Sequence, residues 1–338
     1  MLEWLWVVAI ALLSLSLTAV VRRYALSRSL MDIPNARSSH SIPTPRGGGV
    51  SIVLAFLLAV ALAGASGRMN LDFLLAMVGG GGLVAVIGFM DDHGHIAARW
   101  RLLGHFVAAA WALFWLGGMA PLDLFGWRLN SGWISALLAT FYLVWMLNLY
   151  NFMDGIDGIA SVEAVTVCLG ACLIHHVTGF SDLVFAPALL AAAAAGFLYW
   201  NFPPARIFMG DAGSGFLGIA LGVLSVQAAW ASSSLFWAWL ILLGCFVVDA
   251  TLTLLRRLSR GEKVYQAHRS HAYQFASREY GRHLPVTLAV AAINVGWLLP
   301  WAFAAALGWV DGLTAVLLSY VPLAALALRF RAGQSEGN

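Results

Sequence analysis

From Ala212 to Val248 the chain runs for 37 residues without one charged side chain. A single helix of that length would measure about 55 Å, whereas the hydrocarbon core of a bilayer is about 30 Å thick. The run therefore has to fold back on itself, and Ser232-Ser233-Ser234 supplies the turn. Similar apolar runs recur from end to end and give eleven expected spans, at 4–21, 47–66, 73–90, 102–119, 132–150, 159–178, 183–201, 212–230, 235–255, 286–308 and 311–328. Charged residues make up 10% of the chain and hydrophobic ones 61%, against roughly 25% charged in ordinary soluble domains, so a soluble globular fold is excluded. The short alternating strands of an outer-membrane barrel are absent, and runs of Leu, Ala, Val and Gly suit helices packed through small residues. The expectation is an all-α polytopic membrane protein of about eleven transmembrane helices, forming one domain over 1–338.

The charges give the orientation. Arg22 and Arg23 follow the first run and Glu3 precedes it, which is the reverse of a secretory signal, so that run reads as a retained anchor with its N-terminus outside. The loops 22–46, 91–101, 151–158, 202–211 and 256–285 and the C-terminal tail then share one side. They hold 17 of the nineteen Lys and Arg residues, leaving Arg68 and Arg128 for the other. By the positive-inside rule that side is cytoplasmic. A net charge of +3 gives no reason to expect nucleic-acid binding. Cys168, Cys172 and Cys245 sit in apolar runs and read as packing residues.

The same face gathers the acids. Asp91-Asp92 end the third span; adjacent carboxylates at a membrane edge repel and pay for desolvation, and persist when a cation holds them. The fifth span ends in Asn148-Leu149-Tyr150-Asn151-Phe152-Met153-Asp154-Gly155-Ile156-Asp157-Gly158, two carboxylates three apart and one turn beyond two amides. The stretch Asn201 to Gly215 places Asp211 at a helix entrance beside glycines, where backbone N–H groups favour anions and a carboxylate can hold Mg²⁺. Arg37, Ser38, Ser39, His40, Thr44, Arg46 and Gly47-Gly48-Gly49 combine cations, hydroxyls and bare backbone suited to phosphate oxygens. His268-Arg269-Ser270-His271 reads as an anion-binding set rather than a zinc site, having no third soft ligand nearby. Glu163 and Asp249 lie inside apolar runs, where an ionisable group is costly. Asp249 stands two turns before Arg256, so an ion pair and a part in chemistry both stay open.

Acids, cations and Gly-rich turns at one membrane edge fit Mg²⁺-dependent phosphoryl transfer, because Mg²⁺ takes one or two carboxylates and leaves its other positions to water and phosphate. The motifs at 34–49, Asp91-Asp92, 151–158, Phe208-Met209-Gly210-Asp211-x-Gly-Ser and His268/His271 also occur in this order in a known family. The chain resembles the polyprenyl-phosphate N-acetylhexosamine-1-phosphate transferases of glycosyltransferase family 4, relatives of the phospho-N-acetylmuramoyl-pentapeptide translocase. The resemblance implies a bacterial inner-membrane enzyme that joins undecaprenyl phosphate to the sugar-bound phosphorus of a UDP-N-acetylsugar and releases UMP. It implies that Asp91 orients or deprotonates the lipid phosphate, that Asp92 and Asp211 serve Mg²⁺ (or Mn²⁺), and that Asn151, Asp154 and Asp157 line the nucleotide site. Asn201 and Phe208 would contact uridine, while Arg37, His40, Arg46, His268, Arg269 and His271 would meet substrate phosphates. The His-Arg-Ser-His-Ala-Tyr-Gln form of the last motif looks like the branch that starts O-antigen and other surface polysaccharides, with GlcNAc, FucNAc or QuiNAc as sugar and UDP-MurNAc-pentapeptide as the alternative donor. Membrane lipids are further partners, and a homodimer is compatible with the family. The rival class is an ion- or proton-coupled transporter, motivated by Glu163 and Asp249, but the acids gather at one surface rather than at the midplane and no internal repeat is evident.

Overall fold

The computed structural model describes residues 2–34, 39–40, 42–94, 96–130, 132–262 and 268–334; Arg37, Ser38 and Lys263 lie outside them. Each of the eleven apolar runs is helical. In chain order the helices are α1 (Leu2–Ser27), α2 (Val50–Ala65), α3 (Leu71–His93), α4 (Ala98–Leu116), α5 (Trp133–Met153), α6 (Ile159–Val177), α7 (Phe185–Asn201), α8 (Asp211–Ala231), α9 (Ser233–Leu242), α10 (Gly244–Ser259), α11 (Ala272–Glu279), α12 (Leu284–Ala306) and α13 (Gly312–Arg329). Among the described residues eight helices are long and apolar enough to cross a membrane, or nine if the bent pair α9 and α10 is one span. Two of the expected spans fall short of that measure for physical reasons. Helix α2 has 16 residues, and α4 opens on Arg99 and Arg101.

The long apolar run turns where the serines stand: Ser232 begins α9 by accepting a hydrogen bond from the backbone N–H of Ser234 at 3.3 Å. The expected span 235–255 is not straight. Helices α9 and α10 meet at Leu243 at an angle of 72°, so α10 leaves the line of α9 and carries Asp249, Arg256 and Arg257 towards the loop 256–285.

Helix α8 is the axis of the molecule. Nearly all its residues are buried, and it packs against α2, α3, α5 and α9. Its N-terminus is where the loops converge. Strands β1 (Met31–Asp32) and β2 (Thr44–Pro45) close the first loop as an antiparallel pair. Beyond β2 the chain hydrogen-bonds to the fourth loop: Phe208 N–H to Pro45 O at 2.8 Å, Gly48 N–H to Phe208 O at 2.9 Å, and Gly49 N–H to Met209 O at 2.8 Å. The end of α3 then approaches closely because Gly88 has no side chain; a Cβ there would stand 2.5 Å from the Asp211 carbonyl oxygen. A second hairpin, β3 (Leu122–Leu124) with β4 (Trp127–Leu129), lies at the opposite end, tied to α9 through Ser233 and Trp237.

Two buried polar residues of the apolar runs have structural partners. Glu163 accepts from Asn294 Nδ2 at 2.6 Å, and the same amide donates to Thr166 at 2.8 Å, joining α6 to α12 where α12 takes a π turn. The three cysteines are free thiols.

Candidate active site

The sequence groups Asp91 and Asp92 as one unit, but consecutive residues of a helix point about 100° apart, and their surroundings differ accordingly. Asp92 turns to the first turn of α8. Its Oδ1 accepts from the Asp211 backbone N–H at 3.1 Å, its Oδ2 from that of Ala212 at 3.3 Å, and the Arg46 guanidinium closes on Oδ1. The side chain is 2% exposed. Gly210, at φ +79°, makes room for it, since a Cβ there would lie 2.7 Å from Asp92 Oδ2. Asp91 turns instead to α4, accepting from the Ile96 N–H at 2.8 Å and pairing with Arg101. The same Arg101 nitrogen lies 3.4 Å from Asp211 Oδ2, so two carboxylates share one cation. Arg101 had no place in the sequence reading; its only signal there is a position ten residues after Asp91.

A polar cavity of about 650 Å³ opens over these residues. Of the residues singled out in the sequence, His40, Arg46, Asn151, Asp154, Asp157, Asn201, Phe208 and Asp211 line it. Asp91 and Asp92 stand behind it, and Arg37 lies outside the described residues. The lining adds Gln274 and His283, which the sequence did not mark.

Several of the lining side chains build the cavity. Asn201 is buried, accepting from the Gly158 N–H at 3.0 Å and donating to the Ile207 carbonyl at 2.9 Å, so its amide splices two loops. Asp157 accepts from the Ala205 N–H at 3.0 Å and faces His283 at 3.1 Å. His283 in turn reaches the Ser39 carbonyl at 2.9 Å, tying the first loop over the cavity. Asn151 donates to Ser214 at 2.9 Å. Phe208 is half-buried, with the His40 ring edge-on to it at 4.8 Å between centroids.

Asp154 differs from all of these. Its carboxyl has no hydrogen bond or ion pair among the described residues, and burial together with the negative charges of Asp211, Asp92 and Asp157 raises it well above the ordinary carboxylate range. An acid left unpaired in a field of acids is relieved by a bound cation. Asp154 and Asp211 are cavity-lining carboxylates that could hold a divalent cation, one or two being what Mg²⁺ takes from a protein. Among the described residues no group of three or more His, Cys, Asp or Glu is placed to hold a metal ion. Asp92 has both oxygens engaged, Oδ1 by Arg46 and the Asp211 N–H and Oδ2 by the Ala212 N–H, so in this structure it holds Arg46 and the start of α8.

His268 and His271 do not line the cavity. Their rings stack on each other at 4.9 Å and pack beside Phe152. Burial, then the neighbouring His271 and Arg257, lowers His268 to about 3, so its ring is neutral near pH 7. Arg269 is likewise absent from the lining. The basic run before them is engaged internally: Arg257 and Arg260 hold Glu262, and Arg256 donates to the Ala332 carbonyl at 2.8 Å. The Asp249–Arg256 pair that spacing allowed is therefore not formed. Asp249 faces the segment His271–Tyr273 instead.

The His283 clasp carries a pH signature. Burial lowers this imidazole, but the Asp157 carboxylate and the Ser39 carbonyl raise it further, leaving it above its ordinary 6.5. A histidine raised in the folded state adds stability that is complete below 6.5 and is lost as pH climbs through the folded value. Thermal unfolding measured from pH 6 to 9 is expected to show this decline. His283→Gln is expected to flatten it, and an unchanged slope would contradict the clasp.

The model of glycosyl transferase family 4 matches residues 74–229, the stretch that carries Asp91, Asp92, Asn151, Asp154, Asp157 and Asp211. Among curated proteins, a probable undecaprenyl-phosphate N-acetylglucosaminyl 1-phosphate transferase of Bacillus subtilis is 30% identical over 267 residues, covering 77% of this chain and 73% of the relative. An undecaprenyl-phosphate alpha-N-acetylglucosaminyl 1-phosphate transferase of Thermotoga maritima is 28% identical over 284 residues, or 83% and 84% of the two chains. A phospho-N-acetylmuramoyl-pentapeptide-transferase of Moorella thermoacetica is 33% identical over 198 residues, 54% of this chain and 61% of the relative. With its converging acidic loops, its multi-pass helical fold and these matches, the chain belongs to glycosyl transferase family 4.

Proposed function

We propose that this protein transfers an N-acetylhexosamine 1-phosphate from a UDP-sugar to undecaprenyl phosphate, releasing UMP at the cytoplasmic face of a bacterial inner membrane. The observation that carries this reading is the cavity itself, which brings the carboxylates of Asp154 and Asp211, the cation of Arg46, the imidazole of His40 and the ring of Phe208 into one lining. All of it lies at the end of the bundle where the cationic loops gather. A membrane-edge site suits one lipid and one water-soluble substrate. The topology that goes with it has eleven crossings, the N-terminus outside and the C-terminus in the cytoplasm.

Chemically, one oxygen of the lipid phosphate attacks the sugar-bound phosphorus and the bond to the UMP phosphate breaks. The second pKa of a phosphate is near 6, so the lipid is largely dianionic at neutral pH and needs positioning more than deprotonation. In-line displacement at phosphorus is served by charge complementarity and alignment. Arg46, fixed by Asp92, presents a cation to the diphosphate. Arg101 balances Asp91 and Asp211, and Phe208 offers a ring face for the uracil. Mg²⁺ held by Asp211 and Asp154 would neutralise and orient the diphosphate oxygens.

N-acetylglucosamine is the sugar favoured by the names of the Bacillus and Thermotoga relatives, with a role in starting O-antigen or another surface polysaccharide. The Moorella relative keeps UDP-MurNAc-pentapeptide as the second reading. A panel of UDP-GlcNAc, UDP-FucNAc, UDP-QuiNAc and UDP-MurNAc-pentapeptide, each with undecaprenyl phosphate and Mg²⁺, tests the assignment by UMP release. Turnover with UDP-GlcNAc supports it, turnover with the muramoyl donor alone supports the second reading, and no UMP from any donor contradicts both. Phe208→Ala is expected to raise the KM for the UDP-sugar about tenfold, in keeping with the 1–3 kcal/mol typical of a base-stacking ring, and to leave that for the lipid unchanged. Equal effects on both substrates would refute the stacking role.

A further inference from the structure

Asp249 lies in α10, outside the cavity, in a position the transfer chemistry does not use directly. It is 6% exposed and accepts four hydrogen bonds. Oδ1 takes them from Thr253 Oγ1 at 3.1 Å, from the Ala272 N–H at 2.9 Å and from His271 Nδ1 at 3.3 Å, and Oδ2 takes one from the Tyr273 N–H at 3.0 Å. A carboxylate is acceptor-only, so the hydrogen of that imidazole contact sits on His271 Nδ1. The other ring nitrogen, Nε2, is buried and has no partner among the described residues. Such a group costs free energy unless something arrives to meet it. His271 is 2% exposed and stacked on His268, with Phe152 beside both. Phe152 is in turn bound through its carbonyl by the Tyr273 hydroxyl at 3.0 Å and stands between Asn151 and Asp154 of the cavity wall.

We propose that Asp249 is a positioning residue for His271, holding its hydrogen on Nδ1 and leaving Nε2 a bare acceptor beside Phe152, behind the Asn151–Asp154 wall of the cavity, through the start of α11. This rests on the transfer reading above for its kinetic part. The arrangement follows a general logic in which an acceptor behind a histidine fixes the tautomer and the ring plane, and the opposite nitrogen does the work. A plain helix-capping role would use the contacts to Ala272 and Tyr273 alone and would not need the imidazole.

The test combines spectroscopy and kinetics on the full chain in lipid nanodiscs. With ¹⁵N-histidine labelling, the His271 resonances, assigned by their loss in His271→Gln, are expected to show the hydrogen on Nδ1. In Asp249→Asn it is expected to move to Nε2 in a measurable fraction of molecules. A bare Nδ1 in the unsubstituted protein overturns the proposal, and this measurement does not depend on activity. With UDP-GlcNAc and undecaprenyl phosphate, Asp249→Asn is expected to lower kcat about 10²-fold with the UDP-sugar KM within threefold. Asp249→Glu should recover part of that loss. Because Asp249 acts through His271, the Asp249→Asn/His271→Gln double variant should be no more than threefold slower than the slower single variant. Multiplying losses would show two independent roles and overturn the proposal. If the unsubstituted protein releases no UMP from any donor of the panel above, the transfer reading fails, and the resonance arm alone decides the Asp249 assignment.

Discussion

Asp211→Asn is expected to lower UMP release by about 10³-fold or more while leaving the substrate-free protein as stable as the native chain or more so. The activity loss follows from geometry: Asp211 is the acid that both lines the cavity and stands at the start of α8 beside Arg101. Removing one charge-stabilising group from a preorganised site costs about 10² to 10³ in rate, and a group that also holds a metal costs more. The stability effect has the opposite sign because Asp211 is crowded by like charge. Asp91 shares its cation, Asp92 contacts its backbone N–H, and Asp154 has no partner among the described residues. Deleting one negative charge there relieves repulsion in the absence of divalent ions. UMP release and thermal unfolding, each with Mg²⁺ and with chelator, check both halves. The native protein should gain stability on adding Mg²⁺ and the variant should not. Turnover within tenfold of native, or an equal Mg²⁺ response, would remove Asp211 from the metal.

Asp92→Ala is expected to abolish turnover by a different route, with a loss of about 2–3 kcal/mol of stability. Its carboxylate holds two helix-terminal N–H groups and the Arg46 guanidinium. A cap of this kind is worth about 1 kcal/mol, and a charge-assisted hydrogen bond about 1.5–3. The Arg46 side chain is 35% exposed, so water replaces part of what it loses, and the cost stays below the 3–5 kcal/mol of a fully buried broken pair. Activity falls because Arg46 is no longer held at the cavity and the first turn of α8, which presents Asp211, loosens. The two acids are thus told apart by one comparison: Mg²⁺ should stabilise Asp92→Ala by an increment set by its remaining Mg²⁺ affinity and fail to stabilise Asp211→Asn. An Asp92→Ala protein of native stability that has lost its Mg²⁺ response would make Asp92 a metal ligand after all.

The membrane helices were legible because an apolar run long enough to span a bilayer has few other folds open to it. The serine turn at 232–234 was legible for the same reason, since a 37-residue run cannot cross once. The bend at Leu243 was not, because nothing in an apolar composition records the direction of a helix axis. In the site, the loops that converge were readable from their acids, glycines and cations. The division of labour among those residues was not. Asp91 and Asp92 are neighbours in sequence and diverge on the helix, one to Arg101 and the other to Arg46 across 46 positions. Asn201 was legible as a site residue, yet its amide is spent on joining loops. His283 and Asp249 matter through partners far along the chain, Ser39 and His271, and pairings at such separations leave no local pattern.

The central claim is that the bond broken lies between the two phosphorus atoms of the donor, not between the sugar and its phosphate. The direct measurement follows UDP-GlcNAc labelled with ³²P in the phosphate attached to the sugar, incubated with the purified protein, undecaprenyl phosphate and Mg²⁺. The expected products are unlabelled UMP in the water phase and label in a lipid whose mass is that of undecaprenyl diphosphate carrying one N-acetylhexosamine, with both lost on adding chelator. Labelled UDP released alongside an undecaprenyl monophosphate sugar would contradict it.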